Sequence, residues 1–406
     1  MKIALVTDHL GPRSAAEADA YPVDPAFRVL RLARALAGQG QQVTVYSRRD
    51  SAARADTVAP CLDALCPGVT IEQVPAGPQE RLPAEMLLPH IAVFAGELAD
   101  RWRHEAPDVI HAHFWTSGLA ALAGARDLDI PVVQTFHSLG VGVPPGRVLA
   151  AASAAARVRL EAAIGRSARA VMASTSEERA ALGRLGVPQA SVRIVPSGVD
   201  VTRFRPSGPA AERGRRPRLL MVSPPGDLPV RATALHALAD VPGAELVIAD
   251  GLARAQRARD PGHQALTRLA RELGVHDRLT CLGQLSEADM PPLMRSADAL
   301  VHLTPSQRFA MVPVEAMACG TPVVASEDAA LGDAIIHANT GFLVPPGEPA
   351  ELARRIRQLL ASPMFLEGFG IAAASRVRSR YSWERVGEET LAVYEALLAP
   401  RMEAAA

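Results

Sequence analysis

Short β-branched and aliphatic runs alternate with longer amphipathic runs along this chain, and the alternation stops once and then restarts. The runs at 2–7 (KIALVT), 42–47 (QVTVYS), 108–113 (DVIHAH), 131–136 (PVVQTF), 168–174 (ARAVMAS) and 191–198 (SVRIVPSG) have the length and apolar character of strands buried on both faces. Helical patterns lie between them; residues 25–40 place Phe27, Leu30 and Leu36 on one face and end in glycine. Strands separated by helices imply βαβ units in an open parallel sheet with helices on both faces. At 205–218 (RPSGPAAERGRRPR) the periodicity dissolves into Pro, Gly and Arg, the mark of a linker. It returns with strands at 219–223, 244–250, 279–283, 298–303 and 322–326, and with helices at 262–273 and 348–361. The fold class is therefore α/β, with two doubly wound, Rossmann-like domains at 1–204 and 219–382 joined by the linker 205–218. The strongly amphipathic helix 383–398 is expected to pack back on the first domain. Ligands of such sheets sit beyond the carboxyl ends of the strands, and two domains facing each other would enclose a deep cleft.

Composition narrows the partners. With 43 basic and 43 acidic side chains the formal net charge is zero, and aromatics make up only 4% of the 406 residues. A nucleic-acid partner would need a basic stripe or a set of stacking rings, so the composition speaks against one. Lys2 is the only lysine, so a side-chain cation that clamps a phosphate has to be an arginine or a histidine. The spacing of Cys61, Cys66, Cys281 and Cys319 matches no zinc pattern, and a chain of this size needs no disulfide framework, which favours a reduced, cytoplasmic setting. The N-terminal apolar run is too short for a signal peptide, and no apolar run is long enough to span a membrane. Peripheral membrane contact stays open.

The chemistry concentrates in residues 305–326, PSQRFAMVPVEAMACGTPVVAS. A strand ends near Leu303, a loop follows, and a helix opens around Pro313, where proline suits a first helical position. Glu315 falls in the first turn, Gly320 ends the helix, and the next strand follows. Free N–H groups at a helix start attract phosphate. A carboxylate one turn on can accept hydrogen bonds from two vicinal hydroxyls, as on a ribose. Phosphate plus diol describes a nucleotide. His111 and His113 alternate on one strand and share a face; with no further ligands in evidence they read as structural. The triplet 127–129 (DLD) reads as a solvated turn.

Segment 305–326 resembles the donor loop of the retaining glycosyltransferases of family 4, which have the two-domain GT-B fold. The resemblance extends through 108–122, 130–140, 192–206, 281–301, 339–353 and 381–386, nearly the whole chain. It implies transfer of a sugar from a nucleotide diphosphate sugar to an acceptor that the sequence does not identify, without metal or cofactor. Glu315 matches the glutamate that holds the nucleotide ribose, and His137 the histidine that reaches the donor sugar. Gln307 stands where the family has a glutamate that binds donor-sugar hydroxyls, so His137 and Gln307 are the expected catalytic residues. Arg308, Phe309, Ala310, Met311 and Val312 of the loop, and Leu331 in the loop after the next strand, are expected to face the donor.

The departures from the family pattern are chemical. Ser223 and Pro224 stand where Gly-Arg is usual, and Pro229 where a lysine is usual; both family cations neutralise the donor pyrophosphate. Arg231 and Arg308 are the expected substitutes. Ala310 replaces a glycine, Val23 and Asp24 occupy the region of the usual paired glycines, and Gln41 replaces a histidine. Loss of one preorganised charge-stabilising group typically costs about 10²–10³ in rate. The alternative to an enzyme is thus a degenerate homologue that binds, or supports a partner glycosyltransferase.

Overall fold

The structure is a computed structural model and describes residues 1–10, 21, 26–50, 68–141, 151–224, 226–304, 310–327 and 333–399. The chain divides into two compact units. The first runs β1 (Lys2–Thr7), α1 (Ala26–Gly38), β2 (Gln42–Arg48), β3 (Val69–Val74), α2 (Ile91–His104), β4 (Val109–His113), α3 (Trp115–Gly124), β5 (Val132–Thr135), α4 (Ala151–Ser167), β6 (Ala170–Ala173), α5 (Ser176–Arg184) and β7 (Val192–Ile194). Among the described residues its strands form one parallel sheet in the order β3-β2-β1-β4-β5-β6-β7. The second runs β8 (Arg218–Val222), α6 (Leu228–Ala239), β9 (Glu245–Ala249), α7 (Arg254–Arg257), α8 (Pro261–Glu272), β10 (Leu279–Cys281), α9 (Met290–Arg295), β11 (Ala299–His302), α10 (Val312–Ala318), β12 (Val323–Ser326), β13 (Gly341–Val344), α11 (Pro349–Leu360) and α12 (Pro363–Arg380). Its parallel sheet has the order β10-β9-β8-β11-β12-β13. The last helix, α13 (Trp383–Leu398), groups with the first unit and packs on α1.

Each sheet is thus a doubly wound sheet whose order reverses once, between β1 and β4 in the first unit and between β8 and β11 in the second. The inner strands β4, β5, β8, β11 and β12 are buried at every position. Buried clusters cover the faces of each sheet, three in the first unit and two in the second. In the second unit, Leu220, Val222 and Leu300 point to the side of α10 and α12, while Leu219, Met221 and Val301 point to the side of α6 and α11. The period-two alternation of a strand divides its residues between two helical layers.

The chain changes unit at Gly198–Val199, so the segment 205–218 lies wholly in the second unit. That segment carries no helix or strand before Arg218, as its composition suggests, but the physical boundary comes earlier. The Val199 N–H donates to the Tyr381 carbonyl at 2.6 Å, and Phe204 is buried in the core of the second unit.

Packing around α10 fixes the helix that carries Glu315. Gly320 ends it with φ +77°, a conformation that suits glycine. Gly370, inside α12, is where α12 passes that turn: a Cβ there would lie 2.3 Å from the Gly320 carbonyl oxygen. Gly370→Ala should therefore force the two helices apart and cost about 1–3 kcal/mol, read as a lowered midpoint in urea denaturation of the full chain. An unchanged midpoint would mean that α12 moves at no cost.

Candidate functional site

In the second unit, β11 stands where the strand order reverses, and α10 is the next element in the chain. The helix starts at Val312 with Pro313 in its first turn, and Glu315 follows in that same turn, 7% exposed. The Met311 and Val312 side chains turn into the hydrophobic core, so only their backbone is left to face a ligand. Ala310 is half-buried. Gln307, Arg308, Phe309 and Leu331 lie outside the described residues, as do Val23 and Asp24.

Glu315 has a partner that inspection of the motif does not suggest. The Tyr21 hydroxyl donates to its Oε2 at 2.5 Å, and Tyr21, also 7% exposed, groups with the second unit. Its backbone N–H donates to the Leu285 carbonyl at 3.0 Å. Burial first, and then the Glu315 charge, hold the Tyr21 phenol well above its usual range, so it remains a donor. Tyr21 follows no motif; long-range pairing alone brings it here, 294 residues from its partner.

Arg231 sits on α6 and is fully buried. Its Nε donates to Ser223 Oγ at 2.9 Å, another guanidinium nitrogen donates to the Ser223 carbonyl at 2.8 Å, and a third lies 4.0 Å from Asp250. The serine that replaces the family glycine is therefore tied to the arginine nominated as its substitute cation. Burial lowers the Arg231 pKa, and Asp250 opposes that shift. The Arg231 nitrogen nearest Asp250 and the facing Asp250 oxygen are both buried without a hydrogen-bond partner. The same region brings one ligand atom each from Asp250, His263 and Cys281 within 4.8 Å of one another. Such a set could take a soft divalent ion. Two guanidinium groups oppose it: Arg231 beside Asp250, and Arg257, which donates to the Cys281 carbonyl at 2.6 Å. Burial also pushes the Cys281 thiol up to about 11.

In the first unit the strand ends carry a chain of imidazoles. His111 is fully buried between the Tyr394 hydroxyl, 2.7 Å from Nδ1, and Thr135 Oγ1, 2.8 Å from Nε2. That is the structural role its position suggests. His113 differs: its Nδ1 lies 2.9 Å from Nε2 of His137, while its own Nε2 and Nδ1 of His137 are buried without a hydrogen-bond partner. A neutral pair can share only one proton across that contact, so one ring presents an N–H and the other a bare nitrogen. His137 has φ +57°, and Phe114, whose ring is 4.7 Å from it, has φ +70°. Two adjacent non-glycine residues in this region of φ store strain of about 1–3 kcal/mol each, a feature that clusters at functional sites. A cavity beside them is lined by Arg28, His113, His137, Ser197, Trp383 and Thr390, among others. At the end of β1, Asp8 pairs with His9 at 2.6 Å and accepts from Thr116 at 2.7 Å. Sequence reasoning passed over that pair, although "TDH" directly after a buried strand at the order reversal was the available signal.

The comparisons with known proteins agree with this layout. The profile of Glycosyltransferase Family 4 matches residues 26–203, and that of Glycosyl transferases group 1 matches 230–376. The chain is 32% identical to a D-inositol 3-phosphate glycosyltransferase of Streptomyces bingchenggensis, over 90% of this chain and 83% of that one.

The chain belongs to glycosyltransferase family 4.

A second D-inositol 3-phosphate glycosyltransferase, from Frankia alni, is 32% identical over 92% of this chain and 94% of its own. Among solved structures, the sucrose-phosphate synthase of Thermosynechococcus elongatus superposes with a TM-score of 0.78 at 26% identity, covering 98% of this chain and 99% of that one. Anabaena HepE in complex with UDP shares the fold with a TM-score of 0.73 at 18% identity, covering 98% and 100%. The fold is GT-B, and the protein is a glycosyltransferase.

Burial of neutral histidines makes this family 4 member acid-sensitive. Burial lowers His113 to about 3 and His302, at the end of β11, to about 4. Their folded values lie below the ordinary 6.5, so the unfolded chain takes up protons first as pH falls. The stability is fully present above pH 6.5 and lost on the way down, through about pH 4 for His302 and about pH 3 for His113. Each contributes a slope of about 1.4 kcal/mol per pH unit. Both His302 ring nitrogens are buried without a hydrogen-bond partner. His302→Leu should therefore flatten the pH dependence of urea stability between pH 6 and 4.5 by about that slope, and an unaltered slope would place the acid sensitivity elsewhere.

Proposed function

We propose that this glycosyltransferase transfers a sugar, with retention of anomeric configuration, from a nucleotide diphosphate sugar, and that it needs no metal or other cofactor. The observation that carries the reading is the place of Glu315: a buried carboxylate in the first turn of the helix that opens at the order reversal of the second sheet. Its two oxygens suit the vicinal hydroxyls of a ribose. The N–H groups of the first turn would meet the phosphates. As the bond from the anomeric carbon to the phosphate oxygen breaks, negative charge develops on the diphosphate. That oxygen takes the acceptor's proton on the same face, and the acceptor oxygen forms the new bond there. Separately, in the first unit, His137 is proposed as a sugar-binding residue through the ring nitrogen it keeps unpaired. The names of the relatives support, as the proposed acceptor, a phosphorylated cyclitol such as inositol phosphate. The protein would act in the cytoplasm, and among the described residues no helix is long and apolar enough to cross a membrane.

A reading without turnover is favoured by one feature among the described residues, the burial of Arg231 against Ser223 and Asp250, which turns that arginine inward. The two readings part in one assay. Radiolabelled UDP-, GDP- and ADP-sugars are incubated with inositol phosphates and with water, and the product anomer is read by NMR. Transfer with retention is expected; no turnover of any donor with any acceptor supports the second reading. In the productive pair, Glu315→Gln should weaken donor binding by about 10–100-fold, the worth of hydrogen bonds to a charged partner. An unchanged KM for the donor would remove Glu315 from the site.

A further inference from the structure

We infer that Tyr21 is a built-in competitor of the donor: in the free protein its hydroxyl occupies the Glu315 carboxylate, and the ribose of the nucleotide must displace it. The inference rests on the reading of Glu315 as the ribose carboxylate.

The contact has the properties of a ligand mimic. It is a hydroxyl donating to a carboxylate oxygen at 2.5 Å, the same chemistry as a ribose hydroxyl on that oxygen. Hydrogen bonds to an ionised acceptor are about twice as strong as neutral ones. A carboxylate grips a vicinal diol with both oxygens, and Tyr21 takes Oε2. The Tyr21 ring lies in the same buried apolar cluster as Val312 and Val314, on either side of Pro313 in the turn that carries Glu315. A ribose arriving at Glu315 would therefore meet the hydroxyl. Tyr21 is also anchored by its own backbone, through its N–H to the Leu285 carbonyl at 3.0 Å. The phenol is kept protonated by burial and by Glu315, so it cannot leave by ionising at neutral pH. Only a better set of donors displaces it, and a ribose supplies two hydroxyls.

Thermodynamic linkage gives the test a direction that a purely structural tyrosine would not share. The Tyr21–Glu315 bond stabilises the free state alone. Removing the hydroxyl lowers the stability of the free protein and raises its affinity for nucleotide. Titration calorimetry with UDP, GDP and ADP is run on the wild type, Tyr21→Phe and Glu315→Gln, with thermal unfolding of each protein with and without nucleotide. Tyr21→Phe should bind the preferred nucleotide at least about tenfold more tightly. Its free form should melt earlier than wild type and its nucleotide-induced shift should be larger, while Glu315→Gln should bind more weakly. Equal or weaker binding by Tyr21→Phe, when the wild type binds, overturns the proposal and leaves the nucleotide reading intact. Failure of the wild type and of Tyr21→Phe to bind any of the three overturns the nucleotide reading and the proposal together. If Tyr21→Phe does not fold, the wild type labelled with 3-fluorotyrosine serves, since the chain has only four tyrosines. One fluorine line should move on saturation with the nucleotide, and the same line should differ in Glu315→Gln. A bound nucleotide that moves no line overturns the proposal.

Discussion

Parallel strand pairing is the constraint from which the rest of this molecule follows. Parallel strands are connected by crossovers, the crossovers are helices, and helices on both faces bury every inner strand. All carboxyl ends then lie on one edge of each sheet, and the loops that leave that edge are the ones able to carry polar chemistry. His113, Phe114 and His137 leave the ends of β4 and β5, Asp8 leaves β1, Ser223 leaves β8, and the loop to Glu315 leaves β11. None of these groups was placed by local propensity; each stands where its strand runs out.

Most of the fold was legible because strand and helix periods differ and both recur. The elements that escaped are those where the pattern is weak for a physical reason. β3 is an edge strand with its middle residues partly exposed, so VTIEQV lacks the apolar continuity of an inner strand. β13 has four residues and begins at Gly341, whose Cβ would lie 2.3 Å from the Val323 carbonyl; the close approach that defines the pairing removes the side chain that would signal it. Composition reports flexibility-prone residues, while contacts decide which core a segment joins, so the division by contacts falls at Gly198–Val199. Phe204 joins the second core before the Pro- and Gly-rich stretch begins.

The site was legible as a motif and illegible as a network. Glu315 is a pattern residue, and the strand-end histidines invite attention. Tyr21 belongs to no spacing, and neither does the pairing of Arg231 with Ser223. That pairing has an internal logic: a serine in place of glycine brings a hydroxyl and shares its carbonyl with the arginine, and Asp250 balances the guanidinium's charge nearby. The two substitutions relative to the family thus form one local solution, and an arginine held this way differs from a lysine on a flexible stem.

The return of α13 to the first unit bears on how the chain is made. Tyr394 on that helix is fully buried and bonded to His111, which sits beside the His113–His137 pair. A ribosome delivers β1 to β7 early, yet the helix that completes their core emerges only after the whole second unit has been synthesised. The second unit is continuous from Val199 to Ser382 apart from the short N-terminal piece that includes Tyr21, so it can close its own core while still tethered. The unit begun first is finished last. During that interval the face of α1 that awaits α13 is uncovered, and a stalled or truncated chain would expose it to chaperones and proteases.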